Sequence, residues 1–590
     1  MKKFLTFILI LAAAQCVFAG ELGDVYFTSE GNPVGVHRWF EDAPTPADMV
    51  KMIMMGPNGD EMEDGIFNAV PMNWVLDSVT ENGAYLDINF KPVPEGTLYE
   101  TTQIEDIWVQ FDNTIRYKFD LQVRLFIDGN PLDDYEIPAP DLSCDNPFIP
   151  LNERMRKADS GPLSGKLFVV RGGHGYAWYS SKNAWSFERG ENCSKYITRE
   201  DLHTQELACI LITYLEQEGA SIAHAREPSH DRGNCSYTGK PWWQMSPIGY
   251  LCDAGYPTSV TEGAYNVDHA KSKYVASNLA NYRGADLYIS IHTNALSGDC
   301  YSNCGTGIET FYSSNNSASG SQRFAQLCLD NCISMVRTYY DSKWACRRSC
   351  KAVDANYAET KRATMPSTLF EFGFHDNCAK DAQYLADNFF RTVGMYGLAQ
   401  AVFQYYGISP KWGPYSAEYI SDTIPSQMAP GETKQVSITF KNHGFCWQSG
   451  RNFMLGAVDN SDPFAVTRQG LPGEIMPGQT CTFTFNMTAP SNPGVYTTDW
   501  QMLREGATWF GDKLSKQVTV GTPELGAVMV SNTIPDSAMQ GETKSVSVTV
   551  KNVGNKTWTA GEKFVLGACG DGDPFASTTA FTVPKNVAKN

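Results

Sequence analysis

The chain has few basic residues for its size and only one long apolar run, which lies at its amino terminus. Its 590 residues include 47 lysines and arginines against 65 aspartates and glutamates, which gives a formal net charge of −18. This charge disfavours binding to nucleic acid and broad attraction to an anionic surface. After residue 20 no segment has enough unbroken apolar residues to cross a bilayer, so no membrane span is expected.

The apolar run at the amino terminus has the features of a signal peptide. Lys2 and Lys3 precede it, it extends from Phe4 to Ala14, and Val17-Phe18-Ala19 offers small residues for cleavage before Gly20. The run is short for a membrane span. The sequence therefore predicts a signal peptide over residues 1–19 and an exported protein, located in the periplasm, on the cell surface or outside the cell.

The cysteines fit an oxidising compartment. The chain has 16, and the 15 that follow Cys16 are more typical of disulfides than of metal ligands. An odd number leaves at least one of them unpaired. Three pairs are four residues apart, a spacing that on a helix places both on one face and suits bridges to a neighbouring element. These pairs are Cys300/Cys304, Cys328/Cys332 and Cys346/Cys350, and Cys446 with Cys481 forms a further candidate bridge.

A chain of this length is expected to form several domains. Residues 20–140 alternate apolar and polar residues with period two, which predicts half-buried strands, and a helix is expected at Pro46–Met55. The segments Met54–Pro57, Ala84–Asp87 and Leu125–Gly129 resemble those of a GerMN-type domain of cell-envelope proteins. We therefore expect an α+β module here, followed by a linker over residues 141–164 that is rich in Pro, Asp, Asn and Ser.

Residues 165–408 alternate strand and helix patterns, which predicts an α/β domain with a largely parallel sheet covered on both faces. The predicted strands are Leu167–Val170, Asp286–Ile291, Gly307–Tyr312 and Ser367–Phe372, and the predicted helices are Thr198–Leu215, Asp268–Tyr282, Ser321–Tyr340 and Lys380–Tyr406.

The remaining chain carries an internal repeat. Thr423-Ile424-Pro425 and Gly431–Lys434 return as Thr533-Ile534-Pro535 and Gly541–Lys544, an offset of 110 residues (541 − 431). Alternating strands with frequent turns predict an all-β immunoglobulin-like sandwich over residues 415–521 and an incomplete second repeat over 526–590. The second copy stops before an equivalent of Tyr496–Val520, so we expect the chain to be cut short.

Candidate catalytic residues stand at the carboxyl ends of the predicted strands, where open α/β sheets bind ligands. His174 follows the first strand across Gly172-Gly173, and His292 ends a second strand. Either histidine alone is more typical of a structural role. Glu371 lies between Phe370 and Phe372, and a carboxylate is costly to bury there without a partner. Two histidines and carboxylates gathered at one edge are the components of a hydrolytic zinc site.

The order of these segments resembles the zinc-dependent type 3 N-acetylmuramoyl-L-alanine amidases. The resemblance covers nearly all of residues 165–408 and rests on four motifs, which are strong together although each is weak alone. The motifs are Gly173-His174-Gly175, Arg199-Glu200, Ser290–Asn294 preceded by Ala280-Asn281 and Ala285-Asp286, and Glu371–Phe374 followed by Asn377.

The resemblance implies a role for each residue. His174, Glu200 and His292 would bind one Zn²⁺ and leave a position open for water. Glu371 would be the general base that takes a proton from the water and passes it to the leaving amine. The substrate would be peptidoglycan, at the amide between the lactyl group of N-acetylmuramic acid and L-alanine of the stem peptide.

The sequence departs from the family at several points. Arg171 and Gly172 stand where the family has an acidic residue and a proline, and Arg171 is expected either to weaken metal binding or to contact a stem carboxylate. Glu206, nearly two turns after Glu200, is the alternative ligand. Ser181–Lys195 and Asn234–Val267 exceed the usual spacing and are equally typical of substrate walls and of disulfide-pinned loops. Asp201 and His203 are expected on a solvated helix face, and His224, His230 and His375 in structural or substrate-facing positions.

Three functions are compatible with these patterns. The first is an exported amidase whose flanking domains target it to a surface or to an envelope partner through the Ig-like repeats. The alternative is a non-catalytic cell-envelope binding protein with an amidase-like domain, and a third is a zinc peptidase acting on another amide. All four site residues are present, which favours the enzyme.

Overall fold

The computed structural model describes residues 21–29, 32–137 and 161–588, apart from 297, 303, 317, 356, 522–524, 570–572, 576–577 and 579. The predicted signal peptide and most of the predicted linker lie outside the described residues. The chain divides into two compact units between Lys411 and Trp412. Within the described ranges, every helix is too short or too polar to span a membrane.

The amino-terminal domain is an α+β module, as its period-two segments predict. A β-hairpin precedes a four-stranded sheet of order β3-β4-β5-β6 in which β4 and β5 run parallel. Helix α1 has the predicted bounds because the Thr45 side chain caps it. The strands are β1 Glu21–Ser29, β2 Asn32–Phe40, β3 Leu76–Asn82, β4 Tyr85–Phe90, β5 Gln122–Ile127 and β6 Asn130–Pro131, and the helices are α1 Pro46–Met55, α2 Gly59–Glu63 and α3 Thr101–Phe119.

The central domain has the predicted mostly parallel sheet. Its strand order is β10-β7-β11-β14-β12-β13, and only the pairing of β12 with β14 is antiparallel. Leu167 to Val170 and Leu287 to Ile291 are nearly all buried, as expected of strands covered on both faces. The strands are β7 Leu167–Gly172, β8 Tyr176–Tyr179, β9 Ala184–Phe187, β10 Ser221–His224, β11 Leu287–Asn294, β12 Ile308–Tyr312, β13 Val353–Asp354 and β14 Ser367–Phe374, with β8 and β9 forming a separate hairpin.

The helices of this domain differ from the predicted bounds at their ends. The first begins at Glu200 with Arg199, not Thr198, as its N-cap. The last predicted helix is two helices, because Asp387 leaves helical geometry and its side chain caps the backbone N–H of Phe389. The helices are α4 Glu200–Glu216, α5 Pro247–Asp253, α6 Thr258–Thr261, α7 Ser272–Arg283, α8 Ser321–Tyr339, α9 Ala358–Lys361, α10 Asp381–Leu385 and α11 Asn388–Tyr406.

The two faces of the central sheet are covered by different parts of the chain. Helices α4, α8 and α11 pack on one face. On the other face, helix α7 covers β7, β10 and β11, where Val169, Val275 and Tyr288 share a core. Next to it the amino-terminal domain covers the strands beyond β11, because Phe311 and Leu369 belong to the same buried cluster as Trp108 of α3. The amino-terminal domain therefore completes the fold of the central domain.

The second unit contains the predicted Ig-like sandwich. A sheet of order β15-β17-β20 faces one of order β16-β22-β21-β18-β19, and Trp447 and Trp500 are fully buried. The second repeat contributes two antiparallel pairs, β23-β24 and β25-β26. The strands are β15 Ala417–Asp422, β16 Gln427–Met428, β17 Thr433–Asn442, β18 Phe453–Ala457, β19 Arg468–Gly470, β20 Thr480–Thr488, β21 Gly494–Arg504, β22 Thr508–Val520, β23 Ala527–Asn532, β24 Val548–Asn552, β25 Val565–Gly567 and β26 Ala580–Thr582.

Among the described residues, three disulfides cross-link the central domain, but not in the predicted pattern. Cys193 bonds to Cys378 across 185 residues. Two four-apart pairs, Cys300–Cys304 and Cys346–Cys350, bond within themselves, because neither pair lies on an α-helix. The third pair, Cys328 and Cys332, lies on α8 as two buried thiols that form no disulfide, and the candidate bridge between Cys446 and Cys481 does not form in the described chain.

Candidate metal centre

His174 reaches the carboxyl edge of the sheet because of the glycines that precede it. Strand β7 ends at Gly172, and His174 adopts a left-handed φ of 62°. A Cβ on Gly173 would lie 2.4 Å from Cε1 of His292, and a Cβ on Gly172 would lie 2.5 Å from the backbone of Gln205. Only glycine allows these approaches, so the motif brings the two histidines together.

Glu200 meets both histidines from the first turn of α4. Its Oε1 lies 3.0 Å from Nδ1 of His292 and 3.4 Å from Nε2 of His174, and it accepts a hydrogen bond from the backbone N–H of Thr293. The imidazole rings are nearly perpendicular, with centroids 4.8 Å apart. The three residues are at most 7% exposed. The sequence-predicted ligands therefore converge at one point.

These three residues fit a zinc ion. Their donor atoms lie within 4.8 Å of one another. Tetrahedral zinc with bonds of about 2.0–2.2 Å separates neighbouring donors by about 3.4 Å, which matches the distances from Glu200. Two imidazoles and one carboxylate also form a donor set of catalytic zinc sites, which keep one position open.

Glu371 lies beside this donor set. It is paired in register with His292 of β11 on one side and with Glu309 of β12 on the other. Its Oε2 is buried without a hydrogen-bond partner among the described residues. Burial, together with the nearby charges of Glu200 and Glu309, raises the pKa of Glu371 to about 8. Such a carboxylate in a cleft is typical of a proton-transfer group.

Each of the two histidines contacts a second carboxylate through the ring nitrogen that does not face Glu200. Oε2 of Glu188 lies 3.2 Å from Nδ1 of His174, and its Oε1 accepts a hydrogen bond from Ser272. Oε1 of Glu359 lies 3.3 Å from Nε2 of His292. Both carboxylates contact the ring nitrogen that faces away from Glu200. The sequence pattern singled out neither residue, because each lies outside the four motifs.

Arg171 does not point its charge at the metal position. Its guanidinium forms a buried ion pair with Glu359 and also hydrogen-bonds to the backbone oxygen of Lys273. Burial disfavours the charge, but Glu359 outweighs this effect, so the pKa of Arg171 lies above its ordinary value. Neither expected role of Arg171, weaker metal binding or a contact with a stem carboxylate, has a counterpart in these contacts.

Asp201 and His203 are buried, not solvated as predicted. Asp201 accepts hydrogen bonds from the backbone N–H groups of Gly175, Glu188 and Arg189 and so joins the segments around His174. His203 and His375 both contact Thr293, the residue after His292. The spacing of His203 from Glu200, three residues on one helix, could have indicated that they share a face.

The alternative ligand Glu206 lies elsewhere. Its carboxylate pairs with Arg391 of α11 at 2.7 Å, and its side chain is one-third exposed. His230 stacks on Trp243 with the ring centroids 4.3 Å apart, in the second of the two long insertions. The donor set in the described chain therefore favours Glu200.

A cavity of about 290 Å³ opens over the donor set. Its central-domain wall includes His174, Glu200, His292, Glu371 and, from the insertion Ser181–Lys195, Arg189. No residue of Asn234–Val267 is part of this lining. The opposite wall belongs to the amino-terminal domain, with Pro33, Val34 and Gly35 of strand β2 and Glu105, Asp106, Val109, Asn113 and Arg116 of helix α3.

Comparison with known families identifies two regions of the chain. Residues 188–404 match the family model of N-acetylmuramoyl-L-alanine amidases, a range that includes Glu200, His292 and Glu371 and starts downstream of His174. Residues 423–520 match the model of the Ig-like domain from next to BRCA1 gene. The two matched ranges lie within the predicted central domain and the first predicted sandwich.

Individual relatives and solved structures resemble part of the chain. An endolysin of Bacillus phage SPP1 is 30% identical over 168 residues, which are 28% of this chain, and the chain spans 56% of the length of this curated relative. The catalytic domain of an N-acetylmuramoyl-L-alanine amidase from Bacillus (Paenibacillus) polymyxa is 17% identical, with a TM-score of 0.28 over 41% of this chain and 99% of the other. An N-acetylmuramyl-L-alanine amidase from Mycobacterium smegmatis is 15% identical, with a TM-score of 0.29 over 42% of this chain and 99% of the other.

The family match and the ordered motifs agree on the same residues. Glu200, His292 and Glu371 lie in the matched range, and the structure brings them together with His174. Residues 188–404 of the central domain therefore resemble the N-acetylmuramoyl-L-alanine amidase family in sequence, and three of the four candidate site residues lie within this match.

Proposed function

We propose that the protein is an exported, zinc-dependent N-acetylmuramoyl-L-alanine amidase that acts on peptidoglycan. The proposal is carried by one observation: two histidines, a third potential metal donor and a glutamate whose buried Oε2 has no hydrogen-bond partner in the described chain converge in a single cavity. The bond we assign is the amide between N-acetylmuramic acid and L-alanine of the stem peptide. The match of residues 188–404 to the amidase family supports this choice of bond.

His174, Glu200 and His292 would hold the zinc ion. Bound there, zinc would supply a Lewis acid that polarises the scissile carbonyl and lowers the pKa of water. The protein's part is to present two imidazole nitrogens and one carboxylate oxygen on the same side of the cavity. The buried surroundings of these side chains strengthen their electrostatic effect on a substrate.

Glu371 would move the proton. Hydrolysis of an amide breaks the C–N bond, joins the oxygen of water to the carbonyl carbon and delivers one proton to the leaving amine. The Oε2 of Glu371 has no partner among the described residues, so it is available to accept this proton from water and to donate it to the amine. Its place beside His292 puts this transfer next to the donor set.

The remaining domains support an extracellular role. The segment over residues 1–19 has the pattern of a signal peptide, and the described disulfides are typical of exported proteins. The Ig-like region forms a unit of its own, and we propose that it binds the cell wall or an envelope partner.

The test combines metal analysis with identification of the products. The purified chain, loaded with zinc and incubated with peptidoglycan, is expected to release intact stem peptides with free L-alanine amino groups. Mass spectrometry of the released fragments identifies the bond that is cut. A chelator should stop the release, and added zinc should restore it. Zinc binding without release would favour the non-catalytic envelope binder, and release of partial stems would favour a peptidase.

A further inference from the structure

Helix α9 connects the metal centre to the amino-terminal domain. Its second residue, Glu359, faces His292, and the residues on either side contact the other domain. The backbone N–H of Ala358 donates a hydrogen bond to Glu105 of α3 at 2.8 Å. Lys361 pairs with Asp133 and Glu136, and Arg362 donates to Thr101 at 2.7 Å. A helix of four residues cannot fix its own orientation, so these contacts fix it.

The carboxylate of Glu359 is buried and held from three sides. Arg171 forms an ion pair with Oε1, and the hydroxyl of Ser290 donates to Oε2. The hydroxyl of Tyr288 also donates to Oε2, at 3.3 Å. The remaining interaction of this carboxylate is with Nε2 of His292, at 3.3 Å for Oε1 and 3.4 Å for Oε2.

The two nitrogens of His292 therefore have different partners. Nδ1 faces Glu200 and the metal position, whereas Nε2 faces Glu359. A carboxylate on the far nitrogen fixes the tautomer and the ring orientation of a metal-binding histidine and raises its basicity. The same arrangement occurs at His174, where Nε2 faces Glu200 and Nδ1 faces Glu188.

We propose that Glu359 is the positioning residue for His292, that Arg171 holds Glu359 in place, and that the amino-terminal domain supports both through Glu105. This inference rests on the metal site of the proposed function. The inference also explains why Arg171 can stand where the resembling family has an acidic residue before the glycine-histidine motif. The carboxylate at this place comes from Glu359 of α9, and Arg171 neutralises its charge. The amino-terminal domain is then a structural part of the metal centre.

The experiment measures zinc affinity in the full exported chain by competition with a chromophoric chelator. Glu359→Gln keeps the shape of the side chain but removes its charge, and it is expected to weaken zinc binding about 10- to 100-fold. Glu359→Asp should recover part of the affinity. Glu105→Gln should give a smaller loss, although Glu105 contacts no ligand. Glu61→Gln is the matched control, because its partner Arg38 lies within the amino-terminal domain.

Two further readouts separate positioning from a general loss of structure. The visible spectrum of the cobalt-loaded protein should change in Glu359→Gln and not in Glu61→Gln, since only the first alters the orientation of a ligand. The melting temperatures of the metal-free variants show whether each one folds. If Glu359→Gln does not fold, Ser290→Ala is the second variant, because it removes one donor to Glu359 and leaves the ion pair with Arg171.

Each outcome supports or overturns the inference. An unchanged zinc affinity in folded Glu359→Gln would overturn it. Complete loss of zinc at saturating metal would also overturn it, because Glu359 would then be a ligand. Wild-type protein that binds zinc but releases no stem peptide would reject the proposed activity and leave this inference standing. Wild-type protein that binds no zinc would overturn both.

Discussion

Glu371 combines two properties that a general base for amide hydrolysis requires. Its Oε2 is buried without a partner among the described residues, and it lies beside His292 in the sheet register. A structural carboxylate at such a position would be paired, as Glu309 is with Arg116 and Arg347. The free oxygen is consistent with a group that exchanges protons with bound water.

Replacement of Glu371 by glutamine should separate zinc binding from catalysis. We expect the rate of stem-peptide release to fall about 10²- to 10⁴-fold, the usual contribution of a general base. Zinc content should not change, because Glu371 is not one of the three converging donors. Release assays and metal analysis of the same preparation check both statements. A Glu371→Gln enzyme with the wild-type rate would show that another group carries the proton.

The pair Glu200 and Glu206 provides a second test at the residue scale. Glu200 contacts both histidines, whereas Glu206 contacts Arg391. Glu200→Ala should therefore lose zinc, and Glu206→Ala should retain it with at most a modest loss of stability, because its partly exposed ion pair contributes little. Zinc stoichiometry after dialysis measures the difference. The reverse result would move the ligand to Glu206.

The four site residues could be predicted from the sequence because each belongs to a short motif, at a strand end for His174, His292 and Glu371 and at the start of helix α4 for Glu200. Glu359 could not, because α9 is one turn long and its position depends on contacts with a distant domain. The burial of Asp201 likewise depends on backbone donors from Gly175, Glu188 and Arg189, which no local pattern reveals. Local patterns therefore predicted the side chains that converge at the candidate metal centre, but not the groups that hold them.

At the scale of elements, the apolar runs predicted the bounds of the four expected central strands closely. Helix α3 was not predicted. Ile104, Ile107, Trp108, Phe111 and Ile115 are all buried and recur at helical spacing. This pattern was available in the sequence, but the period-two segments around it indicated strands. The boundary between α10 and α11 was harder to predict from the sequence, because it depends on the N-cap that the Asp387 side chain provides.

The disulfide Cys193–Cys378 joins the segment before α4 to the segment after β14, the two elements that carry Glu200 and Glu371. A chain-entropy model gives about 5 kcal/mol for a closed loop of this length and about 2 kcal/mol for the four-residue loop of Cys300–Cys304. The long-range disulfide is therefore expected to contribute more to stability than the local one.

Replacement of both cysteines by serine tests this expectation. Unfolding of the first unit should occur at lower denaturant concentration in the Cys193/Cys378 double variant than in the Cys300/Cys304 double variant. Circular dichroism during guanidinium titration of the two full-length proteins measures the midpoints. Equal midpoints would mean that native contacts, not loop closure, hold the two segments together.

At the scale of the whole chain, the sequence predicted the α+β, α/β and all-β fold classes of the successive regions, but not how the first two combine. Alternating strand patterns show that one face is buried without showing what covers it. In the structure, Trp108 of the amino-terminal domain and Phe311 and Leu369 of the central sheet share one core, and both domains line the cavity. The amino-terminal domain is thus better described as part of the unit that forms the candidate metal centre than as a separate targeting module.

The Ig-like region, in contrast, is a compact unit whose removal should leave the first unit, with its candidate metal centre, intact. A chain of residues 20–411 contains every residue of the donor set and of the cavity lining. We expect it to cleave soluble muramyl peptides at the wild-type rate. Its binding to isolated cell walls should weaken by at least about tenfold, because one of two linked binding modules is lost.

Co-sedimentation with cell walls and release from soluble muramyl peptides, measured on the same two proteins, distinguish targeting from catalysis. The soluble substrate is the control, because it needs no anchoring. Equal sedimentation of the full and shortened chains would reject a wall-binding role for the Ig-like region and leave an envelope partner as its remaining ligand. A loss of release from the soluble substrate would show that catalysis depends on the second unit, since a purely targeting module affects only the concentration of enzyme at the wall.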